Sequence, residues 1–380
     1  MPSPKPLKIG FVLDDSLDKP DGVQQYVLSM GEWLKRQGHE VHYLVSTTTR
    51  SDVGTIHNLG RFVRVRFNGN GMGTPLPASA RHIRRLLATE KFDVLHVQVP
   101  YSPFLAHKVI MSAPSMTAIV GTFHILPNTR LAAVATKMLG LWLRRSLKRF
   151  DQMFSVSPAA QEFAKDTFGV DSTVLPNVID YPRFAEAEPF ESAHPTILFL
   201  GRLVPRKGCM TLLQALVDLK SDGLLPACRV LICGKGPLMS ELTEYAKAQQ
   251  LDMVEFTGFV SEEDKPRYYA TADVAVFPST GGESFGIVLL EAMASGRAVV
   301  LAGDNPGYHS VMHERPEQLI APGDHRHLAE KISGYLQNND GRRQAAAWGK
   351  TYAAGFDVQS VGRRLLTSYR SILSSRRNMQ

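Results

Sequence analysis

The sequence predicts an α/β protein of two tandem domains, each a parallel sheet with crossover helices. Three observations predict it. At 380 residues the chain is long for a single hydrophobic core. Short β-branched runs alternate with amphipathic stretches from Lys8 onward, and the alternation starts afresh at Thr196. Between them, around Ala185 to Pro195, the composition turns acidic, proline-containing and aperiodic, as in a linker.

In the first half, residues 1–185, Lys8-Ile9-Gly10-Phe11-Val12-Leu13 reads as a buried strand. Gln24 to Arg36 follows as a helix with Val27, Met30 and Leu34 on one face and Gly38 after its end. Val41–Val45, Asp93–Val97, Ala118–Thr122 and Gln152–Val156 are further strands. In the second half, residues 186–357, the strands are Thr196–Leu200, Arg229–Cys233, Val254–Phe256, Val274–Phe277, Ala298–Leu301 and Gln318–Ile320. Ligands in such sheets bind outside the carboxyl ends of the strands, so two tandem sheets are expected to face each other across a cleft.

Composition narrows the class. The hydrophobic share of 44% supplies a core. Cys209, Cys228 and Cys233 fit neither a disulfide framework nor zinc-ligand spacing and read as reduced, buried thiols of a cytoplasmic protein. Met1 to Lys8 does not read as a signal peptide, and the longest apolar run, Leu131 to Leu143, is broken by Lys137. Charge is unevenly placed: residues 1–185 hold 22 Lys and Arg against 14 Asp and Glu, whereas residues 186–357 hold 16 against 22. A basic half suggests an anionic surface or substrate.

The chemistry centres on Gly281-Gly282-Glu283-Ser284-Phe285-Gly286, which follows a strand and precedes a helix running to Ala294. Two carboxylates eight steps apart on one helix would stand roughly 12 Å apart, too far to act as a glycosidase pair. Glu283 precedes the helix, however, and Glu291 lies two turns inside it. The N–H groups of Phe285, Gly286, Ile287 and Val288 at the helix start favour a phosphate. Glu291 could accept from a ribose diol, and Glu283 would lie beside a sugar on the distal phosphate. The loop Leu200-Gly201-Arg202-Leu203-Val204-Pro205-Arg206-Lys207-Gly208 adds two or three cations suited to a diphosphate. A solvated Glu291 with a capping Glu283 is the plain structural alternative.

Gly201-Arg202 with Lys207-Gly208, Cys233-Gly234-Lys235-Gly236-Pro237, and Glu283 through Met293 together resemble the family-4 retaining glycosyltransferases of GT-B fold, over nearly the whole chain. The resemblance implies two Rossmann-like domains, with the nucleotide sugar held mainly by the C-terminal one. It also implies a C-terminal helix, residues 358–380, that packs back on the first domain. On it, Arg202 and Lys207 bind the diphosphate, Glu291 the ribose and Glu283 the transferred sugar, with Val260 against the base. Within the family the motifs are similar to those of phosphatidyl-myo-inositol mannosyltransferases. Gly22 then lies at the phosphates, Gln24 and Asn68 towards the acceptor, and His124 of Gly121-Thr122-Phe123-His124 beside the reacting centre. Arg81-His82-Ile83-Arg84-Arg85 matches their membrane-binding helix. Four positions depart from the pattern: Asp21 replaces a glycine, Asp14-Asp15 a Pro-Tyr pair, and Gln98 a histidine.

The spacing of Arg81, Arg84 and Arg85 places them on one helical face with Ile83, Leu86 and Leu87 off it, suited to an anionic bilayer. Leu141-Trp142-Leu143-Arg144-Arg145 has similar character, with an interfacial tryptophan. The reaction implied moves a hexose, foremost mannose from GDP-mannose, to a phosphatidylinositol-type lipid at the inner face of the cell membrane. No Asp-x-Asp pair stands at a strand end, so no metal is expected on protein ligands, and Mg2+ would assist only through the diphosphate. Another nucleotide sugar with another lipid or glycan acceptor is the alternative. A non-catalytic anionic-surface or nucleic-acid binder is the rival of another class, disfavoured because the basic runs carry few stacking aromatics.

Overall fold

The computed structural model describes residues 5–18, 21–60, 62–67, 70–75, 79–124 and 130–378. The chain divides into two units, residues 1–178 with 358–380, and residues 179–357.

The first unit opens with β1 (Lys8–Leu13), α1 (Gly22–Arg36), β2 (Glu40–Val45) and β3 (Thr55–Asn58). An antiparallel hairpin follows, β4 (Phe62–Phe67) and β5 (Asn70–Pro75), which the sequence reading did not include. Then come α2 (Ala80–Glu90), β6 (Val94–Gln98), α3 (Leu105–Ser112), β7 (Ala118–Phe123), α4 (Arg130–Leu147), β8 (Gln152–Ser155), α5 (Pro158–Phe168) and β9 (Thr173–Val174). The parallel seven-stranded sheet has the order β3-β2-β1-β6-β7-β8-β9, so strand order reverses between β1 and β6. β1 and β6 are buried along nearly their whole length because helices cover both faces of the sheet, and the buried stretch includes two polar side chains, His96 and Gln98.

The second unit starts with α6 (Tyr181–Ala185), β10 (Thr196–Leu200), α7 (Cys209–Ser221), β11 (Arg229–Cys233), α8 (Met239–Ala248) and β12 (Val254–Gly258). It continues with α9 (Lys265–Thr271), β13 (Val274–Phe277), α10 (Ile287–Ala294), β14 (Val299–Gly303), α11 (Pro306–Met312), β15 (Leu319–Ile320), α12 (His325–Gln337) and α13 (Asn339–Ala354). Its parallel sheet runs β12-β11-β10-β13-β14-β15, with the reversal between β10 and β13. Cys209, Cys228 and Cys233 are buried free thiols, and burial raises all three pKa values.

The last helix, α14 (Val358–Asn378), belongs to the first unit. Its Val361, Leu365 and Tyr369 join the core around α1. Gly362 permits this contact, since a Cβ there would stand 2.5 Å from the Trp33 ring. The expected boundary at residue 185 moves to 178. The acidic stretch 186–195 carries no helix or strand, but α6 before it packs on α9 and α10, so the linker-like composition marks a loop of the second unit. Ile179 bridges Asp357, with Ile179 N–H donating to Phe356 O at 3.0 Å, which sets the two chain crossings side by side.

Candidate active site

In the second unit the loops after β10, β11, β13 and β14 meet over the carboxyl ends of their strands, around the point where strand order reverses. Backbone bonds tie them together: Gly201 N–H donates to Cys233 O (2.9 Å), Leu203 N–H to Lys235 O (3.0 Å), and Thr280 N–H to Arg206 O (2.8 Å). Asn305 Nδ2 donates to Ser279 O at 3.1 Å and so joins the fourth loop. Two glycines allow the approach. At Gly234 (φ 152°) a Cβ would stand 1.9 Å from Gly201 O, and at Gly208 (φ 73°) one would stand 2.0 Å from Pro278 O.

On this platform Glu283 is the hub. Its Oε1 lies 2.6 Å from Arg206 Nη1 and 2.8 Å from Lys207 Nζ, and Ser279 Oγ donates to it at 2.9 Å. Burial alone would raise the carboxyl, but the Lys207 and Arg206 charges outweigh it and hold the group below its usual range. Arg202 is exposed, and its charge is felt at Lys207. Two cations thus flank one carboxylate and a third, Arg202, stands near enough to act on Lys207, which leaves a net positive site for an anion. Arg206 went unassigned in the sequence reading, although it stands beside Lys207 in the same loop.

Glu283 does precede the helix, which begins at Ile287 with Gly286 as N-cap and no acidic residue in its first turn. The start of α10 therefore adds unpaired N–H donors and the positive end of the helix dipole. Phe285 is buried, its ring 6.0 Å from that of Phe356, while Ile287 and Val288 are half-buried. Val260 is half-buried next to the exposed Phe259, whose ring has Lys235 Nζ 5.8 Å from its centroid.

Glu291 is neither solvated nor open. It is 4% exposed, Lys265 Nζ lies 2.8 Å from its Oε1, and Tyr269 OH donates to its Oε2 at 3.3 Å. Lys265 also reaches Glu262 at 2.8 Å. The expected free acceptor for a ribose diol is thus half of an internal ion pair, and a diol would share the carboxylate with Lys265. The helix period alone placed Glu291 on α10. It could not show that α9 would cover it.

In the first unit the loop after β1 is pinned by Asp18, which accepts from Thr48 Oγ1 (2.6 Å) and Thr49 N–H (2.9 Å). Gly22 opens α1 and is exposed. Gln24, expected towards an acceptor, is buried and donates from Nε2 to Ser16 O at 3.1 Å. Asp14 accepts from Ala106 N–H at 2.6 Å and from Ser102 Oγ. Burial pushes its carboxyl up to about 7. Asn68 lies outside the described residues.

His124, expected beside a reacting centre, directly follows β7 and is only 3% exposed. Its Nε2 is 2.6 Å from Gln98 Oε1, and Tyr26 packs edge-on with centroids 5.1 Å apart. Gln98, one of the departures, is therefore its direct partner. Next to it, His96 bridges Tyr369 OH and Thr122 Oγ1, each at 2.7 Å. Burial pushes both imidazoles down to about 3, so both are neutral.

Arg81, Arg84 and Arg85 are exposed on α2, and none pairs with an acid among the described residues. Ile83 and Leu87 point into the core, so this helix turns its apolar side inward. Among the described residues, His42, His57 and Glu90 could hold a metal ion. There, however, His42 Nδ1 meets His57 Nε2 and His42 Nε2 meets Glu40, both at 2.8 Å, and Lys8 Nζ is 2.6 Å from Glu90. The hydrogen bonds and the ammonium already satisfy the group.

Two family models match end to end: Glycosyltransferase Family 4 over residues 20–183 and Glycosyl transferases group 1 over residues 180–351. The phosphatidyl-myo-inositol mannosyltransferase of Mycolicibacterium smegmatis is 32% identical over 374 residues, covering 96% of this chain and 94% of its own. The chain belongs to the family-4 glycosyltransferases. The Mycobacterium tuberculosis protein of the same description is 30% identical over 385 residues, 98% of this chain and 99% of its own. Among solved structures, a glycosyltransferase from Rickettsia africae superposes with a TM-score of 0.76 at 17% identity, covering 97% of this chain and 99% of that one, which shows the GT-B fold. For this glycosyltransferase the cationic platform of the second unit lies within the group 1 match and His124 within the family 4 match.

Proposed function

We propose that this glycosyltransferase moves mannose from GDP-mannose to a hydroxyl of a phosphatidylinositol-type lipid, with retention of anomeric configuration. The observation that carries the reading is the cluster of Arg202, Arg206 and Lys207 at the head of α10, in a chain 30–32% identical over nearly its full length to phosphatidyl-myo-inositol mannosyltransferases.

The barrier in such a transfer is departure of the diphosphate, as positive charge grows at the anomeric carbon. Fixed cations and N–H donors aimed at the leaving group stabilise that charge separation without reorganising. Arg202, Lys207 and the amides from Phe285 to Val288 supply them. Glu283, whose Oε1 is taken by Lys207 and Arg206, offers Oε2 to a sugar hydroxyl. Glu291 shares its carboxylate between Lys265 and the ribose. The acceptor oxygen bonds to the anomeric carbon on the face the diphosphate leaves, and its proton passes to a phosphate oxygen. His124, neutral and tied to Gln98, orients the acceptor region through hydrogen bonding. Any Mg2+ is carried by the diphosphate. The membrane surface supplies the acceptor, and Arg81, Arg84 and Arg85 attract its anionic headgroups at about 1 kcal/mol each. Among the described residues no helix is long and apolar enough to cross a membrane.

The test is transfer of radiolabelled sugar from a panel of nucleotide sugars to purified lipids. GDP-mannose with phosphatidylinositol should give labelled glycolipid. Label on another lipid, or only from another donor, would replace the acceptor or the donor in this reading.

A further inference from the structure

Eight large apolar side chains are exposed among the described residues, and six of them fall between residues 104 and 142. On α3, Phe104 (40% exposed) and Met111 (45%) share a face with His107 and Lys108, at spacings of three, four and seven. On α4 the same spacing unites Met138 (70%), Leu141 (75%), Trp142 (61%) and Arg145. The two helices pack together, and the Trp142 ring stacks on His107 with centroids 5.0 Å apart, joining the two faces into one patch.

This exposure is not leftover core. α4 already buries Leu143 and Leu147 against α5 on its other side, and a Cβ at Gly140 would stand 2.9 Å from the Phe168 ring. A second apolar stripe on a helix whose core stripe is filled marks an interaction surface.

The charge around the patch says what it meets. Between Asp93 and Asp151 the chain has no acidic residue and seven basic ones. Arg144, Arg145 and Lys148 are exposed beside Trp142 and pair with no acid among the described residues. Arg149 of the same run is used internally, since its Nη2 donates to Ala113 O at 2.8 Å and its Nη1 to Ile110 O, capping α3. A protein partner would ordinarily be matched by charges of both signs. An apolar stripe with an interfacial tryptophan, flanked on its own helices by cations and no acid, fits the headgroup region of an acidic bilayer.

We infer that the α3–α4 face is the surface that inserts into an anionic membrane, with Leu141 and Trp142 entering the acyl boundary and Arg144, Arg145 and Lys148 at the phosphates. The helix bearing Arg81, Arg84 and Arg85 adds electrostatic attraction but no insertion, because Ile83 and Leu87 belong to the core. The inference rests on the membrane part of the proposed function and names the surface that performs it.

The experiment follows tryptophan emission of the full chain, and of Trp142→Phe, with phosphatidylcholine vesicles lacking or containing phosphatidylglycerol. With acidic vesicles the emission should shift to the blue and be quenched by acyl-brominated lipid, and Trp142→Phe should abolish both changes. Leu141→Ser/Trp142→Ser should weaken vesicle binding by about tenfold or more, including at salt high enough to screen the arginines of α2. Its thermal shift with GDP should match that of the parent chain. If the protein bound acidic vesicles with Trp142 unquenched, the inserting surface would lie elsewhere. If the protein bound no vesicle yet mannosylated detergent-dispersed lipid, the inference would fail while the proposed function stood. If Trp142 inserted yet no nucleotide sugar were used, the opposite would hold. If the double variant changed only a dimer–monomer equilibrium, a second copy would be what covers the face, and the inference would be overturned.

Discussion

Around Glu283 and Glu291 the second unit holds carboxylate–cation contacts of 2.6–2.8 Å under little solvent, whereas the first unit keeps two buried histidines, His96 and His124, neutral. Overall charge runs the other way. The first unit carries 26 Lys and Arg against 13 Asp and Glu, and the second 17 against 23. The basic unit spends its charge on the surface, and the acidic unit concentrates a few cations where loops converge. A site that must stabilise a departing diphosphate needs fixed positive charge, and pairing with Glu283 keeps that charge folded in before any ligand arrives. A neutral imidazole can position a hydroxyl without adding a charge of its own.

The largest test of this contrast is stability. Glu291→Gln leaves Lys265 buried without its full partner, and breaking such a pair costs about 3–5 kcal/mol. The unfolding midpoint of the second unit should fall, and Glu291→Leu with Lys265→Met should recover much of the loss. Calorimetry on the full chain measures it. An unchanged midpoint would mean the pair is not structurally coupled.

Next in size is the platform. Lys207→Ala should lower kcat/KM for sugar transfer by about 100-fold, since it removes one fixed charge from the leaving group. Glu283→Gln should slow transfer but leave binding of bare GDP nearly intact, because Arg206 and Lys207 remain. Titration calorimetry separates the two, and equal loss of GDP binding in both variants would contradict separate roles.

The smallest effect concerns pH. Burial holds the folded-state pKa of His96 and His124 at about 3, well below the ordinary imidazole value of about 6.5. The unfolded chain therefore binds more protons between those values, and stability is present above about pH 6.5 and lost as pH falls. At pH 5 the loss is about 2 kcal/mol per histidine. Asp14, raised to about 7, opposes this in part between about pH 4 and 7. Urea midpoints of the first unit, followed by the buried Trp33 in a Trp142→Phe/Trp348→Phe background, should fall on acidification. His124→Gln should flatten that slope.

Much of this architecture was legible in the residues. The strand cores from Lys8–Leu13 to Ala298–Leu301 stand where the apolar runs lie, because a doubly covered parallel strand must be apolar on both faces. Glu283 before the helix was readable from the glycines that break the chain ahead of it. The hairpin β4–β5 was only half legible: Phe-Val-Arg-Val-Arg-Phe alternates as a strand does, but its partner, Asn-Gly-Met-Gly-Thr-Pro, has Thr74 as its one residue of strand-favouring type.

The sequence by itself determined the two sheets, the glycine-bounded loops, the cations in them and the arginine spacing on α2, all of which are local and follow from period, turn chemistry and backbone freedom. Only the tertiary structure decided which side chains those local features meet. It set Lys265 of α9 against Glu291 of α10, closed Gln98 onto His124 and turned α2's apolar side into the core. It also left Leu141 and Trp142 of α4 uncovered. Each outcome depends on contacts between residues distant along the chain, and periodicity reports which face of a helix is apolar but not what will lie against it.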